Sequence, residues 1–293
     1  MTPFLDIRVS SSGGPLANAV SLYQGSSIGD YQSITRQQLL ASICGRNVLI
    51  GTHGFNVNRG DGIYCLDTWG KLLLQFDSRF DVFVGLLWPG DSVWAHGLDY
   101  PDEPRVADEA GELLGPFIDE LVSGSASVSF ASHSLGARVV LHTVMRMSSP
   151  VRRVILMAGA IDDNCLTNEF QLAAAKIGQI SILASERDEI LALAFPLGNL
   201  LSGIVDTGHP WWHGALGRSG PQQPRPQNFR GPFLIPPDWG YGHLDYLQVA
   251  PAATGAVAQQ VDVPAQGTQA PTNGGPGWRQ TFSAGFAGTR FKS

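Results

Sequence analysis

The stretch Val128-Ser129-Phe130-Ala131-Ser132-His133-Ser134-Leu135-Gly136-Ala137-Arg138-Val139-Val140 leaves few folds open to this chain. An apolar run ends in Ser-His-Ser-Leu-Gly and passes directly into a segment with helical periodicity. A serine placed there sits on a sharp turn between a buried strand and a helix. Such a turn forces the serine backbone into a strained conformation and exposes its hydroxyl, so the residues two before and two after must be small. Gly136 meets the second demand, and Ser132 stands where glycine is usual. The plainer alternative is a polar N-cap serine opening a buried helix.

The rest of the chain repeats the strand-then-helix alternation, which predicts an α/β protein: a mostly parallel central sheet with helices on both faces. Residues 4–9 and 19–24 read as a starting pair of strands, separated by the Ser-Ser-Gly-Gly-Pro turn at 11–15. Residues 47–52 and 81–88 read as short buried strands, the second stopped by Pro89-Gly90. Val106, Ala110, Leu113, Phe117 and Leu121 recur at helical steps, with a bend expected at Gly115-Pro116. After the 128–140 turn come a helix presenting Val140, Val144 and Met147, a strand at 154–158, a helix at 167–176 and a strand at 179–184. Residues 190–201 are apolar nearly all round, as either a core helix or part of a cap would be, and 206–240 are rich in Pro, Gly and Trp. Together, 190–240 read as a cap or lid excursion that closes with a short strand at 233–235. One domain is expected over 1–250. From Pro251 the composition turns to Ala, Gln, Gly, Thr and Pro, so 251–293 reads as a flexible tail that Trp278, Phe282, Phe286 and Phe291 could dock.

With 293 residues, 43% of them apolar, the chain can bury a large core, and a net charge of −6 offers no field for nucleic acid or an anionic membrane. No apolar run reaches membrane-span length, and the start Met1-Thr2-Pro3-Phe4 lacks a basic region followed by an apolar one, so no secretory leader is expected. Cys44, Cys65 and Cys165 have neither metal spacing nor a disulfide framework; they read as buried thiols of a protein in the reducing cytoplasm. No metal or other cofactor is implied.

A serine hydroxyl needs a base, an acid that orients the base, and donors for a developing oxyanion. Gly51-Thr52-His53-Gly54-Phe55-Asn56 follows a strand and can offer the Phe55 N–H opposite the N–H of Leu135; His53 would shape that loop. For the acid, Asp188 in Ala184-Ser185-Glu186-Arg187-Asp188 follows a strand on the same rim as Ser134 and is preferred. Asp162, after another strand, is the alternative. For the base, His243 lies in a glycine-flanked loop after the last strand, whereas His209 and His213 lie in the Trp-rich excursion, where they would line a pocket. The indoles of Trp88, Trp94, Trp211 and Trp212 would give an aromatic wall suited to a hydrophobic or aryl small molecule.

Across about residues 45–250 these pieces resemble α/β-hydrolases. The run Asp81-Val82-Phe83-Val84-Gly85-Leu86-Leu87-Trp88-Pro89-Gly90, the turn around Ser134 and the segment Ala184–Asp188 resemble a largely uncharacterised bacterial family of that superfamily. The resemblance implies an α/β-hydrolase fold, a Ser134–Asp188–His243 triad and a carboxylic-ester hydrolase. The His-Gly-Phe loop with His-Ser-Leu-Gly also looks like lipases of the pancreatic type, where the acid would be Asp162. Ala160 stands where the bacterial family tends to carry aspartate. An amidase or thioesterase could use the same residues, and a non-catalytic protein of this fold could bind a small ligand or a partner instead.

Overall fold

The computed structural model describes residues 1–76, 78–91, 103–193, 214–231 and 234–246. Eight strands form one sheet: β1 (Thr2–Arg8), β2 (Leu16–Gly25), β3 (Gln32–Ser33), β4 (Asn47–Thr52), β5 (Val82–Leu87), β6 (Ser127–His133), β7 (Val151–Met157) and β8 (Ile177–Leu183), in the spatial order β3-β2-β1-β5-β4-β6-β7-β8. The β1–β2 and β2–β3 pairs are antiparallel, and every pair from β1–β5 onward is parallel. β4 and β5 are buried on both faces, which is why they appear in the sequence as unbroken apolar runs rather than alternating ones.

Among the described residues, five helices connect them: α1 (Arg36–Ile43), α2 (Arg59–Phe76), α3 (Glu103–Gly124), α4 (Gly136–Arg146) and α5 (Gln171–Lys176). From β4 the chain steps to β5 on one side, then crosses back to β6 and continues outward to β7 and β8. Right-handed crossovers running in opposite directions put α2 on one face and α3, α4 and α5 on the other. On that second face, α3 packs on α4 and α4 on α5. The reversal opens a crevice at the carboxyl ends of the strands, between β4 and β6, where open α/β sheets collect their ligands. Thr52 of β4 lies directly beside Ser132 of β6, so the segment from His53 and the turn at Ser134 leave the sheet as neighbours.

Several expected elements have different limits. The helix expected from 167 is a 3₁₀ turn at Cys165–Thr167 followed by α5, which starts at Gln171. The short strand expected at 233–235 is instead a pair of isolated parallel bridges, Ile180 with Phe229 and Ala184 with Leu234, flanking the edge of β8. α3 is a single helix that runs through Pro116. Cys44 is exposed rather than buried, while Cys65 and Cys165 are buried. The tail at 251–293, residues 194–213 of the 190–240 excursion, and Trp94, His209, Trp211, Trp212 and His213 lie outside the described residues. No helix among the described residues is long and apolar enough to cross a membrane.

Candidate active site

Ser134 leaves the end of β6 with φ +53°, in the left-handed region that side-chain-bearing residues avoid at a cost of about 1–2 kcal/mol. Backbone bonds hold it there: its N–H donates to Met157 O at 3.0 Å, and its carbonyl accepts from Ala137 N–H at 3.1 Å and Ala160 N–H at 3.2 Å. α4 begins two residues later at Gly136. A Cβ on Gly136 would lie 2.4 Å from the His53 carbonyl oxygen, so the helix can start this close to the neighbouring loop only with glycine. Ser132 is fully buried, and its hydroxyl has no partner among the described residues.

The His243 ring lies between Ser134 and Asp188. Its Nε2 is 2.9 Å from Ser134 Oγ and its Nδ1 is 2.7 Å from Asp188 Oδ2. All three side chains are nearly or completely buried. Asp188 follows β8 and heads a helical segment from residue 189; its Oδ1 accepts from Leu191 N–H at 2.8 Å, while Oδ2 faces the imidazole. The same carboxylate thus caps a helix and fixes a ring tautomer, with Nδ1 as donor and Nε2 free to accept from the serine hydroxyl. The two loops are tied together: Ser185 Oγ donates to Tyr241 O at 2.5 Å. Asp162 is half-buried and bridges to Ala215, and the carboxylate on His243 is that of Asp188.

On the other side of Ser134, a Cβ on Gly54 would lie 2.7 Å from the serine Cβ, so the backbone at Gly54 runs against Ser134. Asn56 also has a left-handed backbone, φ +58°. Leu135 is the N-cap residue of α4, and its N–H has no partner among the described residues. An N–H at a helix start, next to a serine, is suited to hold negative charge.

Trp88, expected in an aromatic wall, and His53, expected to shape the Gly54–Phe55 loop, both lie inside the fold. His53 and Trp88 are almost fully buried, with ring centroids 5.9 Å apart. The Trp88 indole N–H donates to His53 O at 3.0 Å, and His53 Nδ1 donates to Gly54 O at 2.8 Å. Trp88 therefore stands behind the loop, with no exposed ring face to offer an aromatic wall and its indole N–H holding His53.

His133 has a role that spacing alone did not suggest. Its ring is buried 4.8 Å from that of His243, and its Nε2 donates to the His243 carbonyl at 2.6 Å. Burial, aided by the neighbouring His243, pushes the His133 pKa down to about 3, and burial does the same for His53. Both rings are therefore neutral in the folded protein at pH values where the unfolded chain, with ordinary values near 6.5, is protonated. Between pH 6.5 and about 3 the unfolded state binds more protons, so stability falls as pH is lowered, by on the order of 1 kcal/mol per pH unit for each ring. Above pH 6.5 neither ring contributes to the slope. His133→Gln keeps a donor for the His243 carbonyl but removes one titrating ring. The expected result is a shallower fall of Tm between pH 6.5 and 4 than in the wild type; equal slopes would rule the assignment out.

Among the described residues, no group of three or more His, Cys, Asp or Glu side chains is arranged to hold a metal ion.

The family described as "Alpha/beta hydrolase of unknown function (DUF900)" matches residues 32–206, more than half of the chain; Ser134 and Asp188 fall inside the match, β1, β2 and His243 outside it. No curated protein matches. Among solved structures, the chain is similar to a hyperthermophilic esterase of the archaeon Pyrobaculum calidifontis (12% identity, 82% of each chain covered, TM-score 0.39). It is also similar to carboxyl esterase 2 of the mycorrhizal fungus Tuber melanosporum (16% identity, 68% of this chain and 77% of that one, TM-score 0.32). Phospholipase PlaB of Legionella pneumophila is 16% identical over 42% of this chain, with a TM-score of 0.27, and the match spans only 26% of that protein's length.

Proposed function

The chain belongs to this family of α/β hydrolases, and from that premise we propose that it hydrolyses carboxylic esters with Ser134 as nucleophile, His243 as base and Asp188 as the orienting acid. One observation carries the reading: a serine on a strained strand-to-helix turn, 2.9 Å from an imidazole whose other nitrogen is 2.7 Å from a buried carboxylate. Buried polar groups need partners, but this order of hydroxyl, ring and carboxylate is also what proton transfer from serine requires.

As Ser134 Oγ attacks the acyl carbonyl, its proton passes to His243 Nε2, and Asp188 stabilises the imidazolium through Nδ1–H. The N–H groups of Phe55 and Leu135 receive the oxyanion; in a comparable site one such donor contributes about 3–4 kcal/mol. Collapse of the tetrahedral intermediate breaks the ester C–O bond. The alcohol leaves with the proton from His243, and the acyl group stays on Ser134. Water, deprotonated by His243, then attacks the acyl-enzyme, the acid is released and Ser134 regains its proton. The substrate is a small hydrophobic or aryl ester. The free thiols of Cys44, Cys65 and Cys165 go with a reducing cytoplasm as the setting.

Turnover of p-nitrophenyl esters by wild type and Ser134→Ala, together with mapping of the residue labelled by a fluorophosphonate, tests the reading. Loss of both turnover and label in the variant is expected, with turnover reduced by about 10⁶-fold where the nucleophile acts as one unit with its base. Equal residual turnover in the two proteins would remove Ser134 from the mechanism. Amide or thioester turnover well above ester turnover would move the activity to another acyl group on the same residues.

A further inference from the structure

We propose that Arg8, at the end of the N-terminal strand β1, is a positioning residue for the loop that receives the oxyanion. The inference rests on the serine-hydrolase reading above, and on a cluster of contacts that the reading does not use.

The Arg8 side chain has no exposed surface. Its Nη1 donates to two carbonyls that belong to different loops, Val57 O at 2.9 Å and Trp88 O at 2.8 Å. Its Nη2 pairs with the buried carboxylate of Asp91, whose other oxygen accepts from Gly13 N–H at 3.1 Å. One guanidinium therefore joins the loop after β4, the turn after β5 and the connection between β1 and β2. The first two loops are joined again on either side of Gly54-Phe55. Before that pair, the Trp88 indole holds His53 O. After it, Asn56 N–H donates to Gly90 O at 2.6 Å. Gly54 and Phe55 thus lie within a segment fixed at His53, Asn56 and Val57, and Gly54 stands against Ser134.

Arg8 is itself fixed from the other end. Its N–H donates to Asp6 Oδ1 at 2.9 Å, Arg59 Nη2 donates to its carbonyl at 2.7 Å, and Arg59 Nε lies 2.9 Å from Asp6 Oδ2. Tyr31 O–H also donates to Asp6, at 3.0 Å. The β1–β2 hairpin lies outside the stretch shared with the family, yet its arginine sets where the Gly54–Phe55 backbone stands.

The chemistry favours arginine here. Two carbonyls and a carboxylate converge on one side chain, which suits a rigid fork of five donors; the compact ammonium of lysine cannot reach all three in that arrangement. An oxyanion site lowers a barrier only if its donors are in place before charge develops, so holding the loop contributes to the transition state and not to ground-state binding.

Arg8→Lys keeps the charge and loses the fork. Asp91→Asn keeps polar atoms facing both Arg8 and Gly13, and serves if the lysine variant folds poorly. Each is measured for amide hydrogen exchange of the peptide covering residues 53–58, and for kcat and KM on a p-nitrophenyl ester. The expected result for Arg8→Lys is faster exchange confined to that peptide and the 88–91 turn, with kcat lowered about 10- to 100-fold and KM little changed, less than outright loss of an oxyanion donor. Asp91→Asn should shift both readouts in the same direction by less. Unchanged exchange, or faster exchange with wild-type kcat, overturns the proposal. Raised KM with unchanged kcat also overturns it, since that would be a substrate-binding effect. Should the wild type itself neither turn over esters nor label at Ser134, the hydrolase reading fails, and exchange alone then decides whether Arg8 holds the loop.

Discussion

Exchanging Asp188 for asparagine is expected to lower ester turnover about 10⁴-fold at pH 7, the size of effect seen when a triad acid loses its charge with its shape intact. The hydrogen bonds give a local reason. Asp188 has two acceptor oxygens with separate donors: Leu191 N–H on Oδ1 and His243 Nδ1–H on Oδ2. Asparagine has one oxygen and one NH₂ group, so only one of the donors can be satisfied. With the oxygen kept on the Leu191 N–H, the amide hydrogens face Nδ1 and require it to accept. The ring proton then moves to Nε2, opposite Ser134 Oγ, and no base remains for the serine proton. KM should change little, because Asp188 is fully buried and reaches the reaction only through the ring. Asp162→Asn should keep turnover close to wild type, since Asp162 bridges to Ala215 and the carboxylate that meets the His243 ring is that of Asp188. A large loss in the Asp162 variant with little in the Asp188 variant would reassign the acid.

What the chain disclosed in advance was whatever its local constraints encode. The turn at Ser134 combines an apolar run, a small residue on each side and the onset of helical periodicity, all within about a dozen positions. β4 and β5 were equally legible, being short apolar runs that end at glycine or proline. α2 went unread although Ile63, Leu66, Trp69 and Leu73, all buried, recur at steps of three and four, because Gly60, Gly62 and Gly70 weaken the helical signal. α1 also carries a readable start, Thr35 with Gln38 three residues on, each side chain bonding the other's backbone. Other features have no local trace at all. His133 meets the His243 carbonyl across 110 residues, and Arg8 meets Trp88 O across 80. Nothing beside Trp88 in sequence distinguishes an indole on an open wall from one spent on a neighbouring carbonyl. The choice between Asp188 and Asp162 was of the same kind, since each follows a strand and only the position of a ring 55 residues beyond Asp188 separates them.

Gly54→Ala and Gly136→Ala should separate the geometry of the site from the stability of the fold. A methyl group on Gly54 would sit 2.7 Å from Ser134 Cβ, 3.1 Å from His133 Nδ1 and 3.2 Å from His133 O. The nearest obstacle is the nucleophile's own side chain, and the loop carrying Gly54 can retreat only by moving the Phe55 N–H away from it. Turnover should fall by about 10²–10³-fold, as when one oxyanion donor is lost, and the loss should appear in kcat. On Gly136 the methyl group would meet the His53 carbonyl oxygen at 2.4 Å, and that backbone is pinned by the Trp88 indole. Neither β6–α4 nor the β4 loop can yield without breaking parallel-sheet contacts, so Gly136→Ala should destabilise the fold by about 1–3 kcal/mol or more, the range for overpacked interiors. Tm and kcat measured on both variants would distinguish the two effects. A Gly54→Ala protein with wild-type kcat would show that the Phe55 N–H is no part of the oxyanion site, because the loop could then move away from Ser134 without consequence for the chemistry.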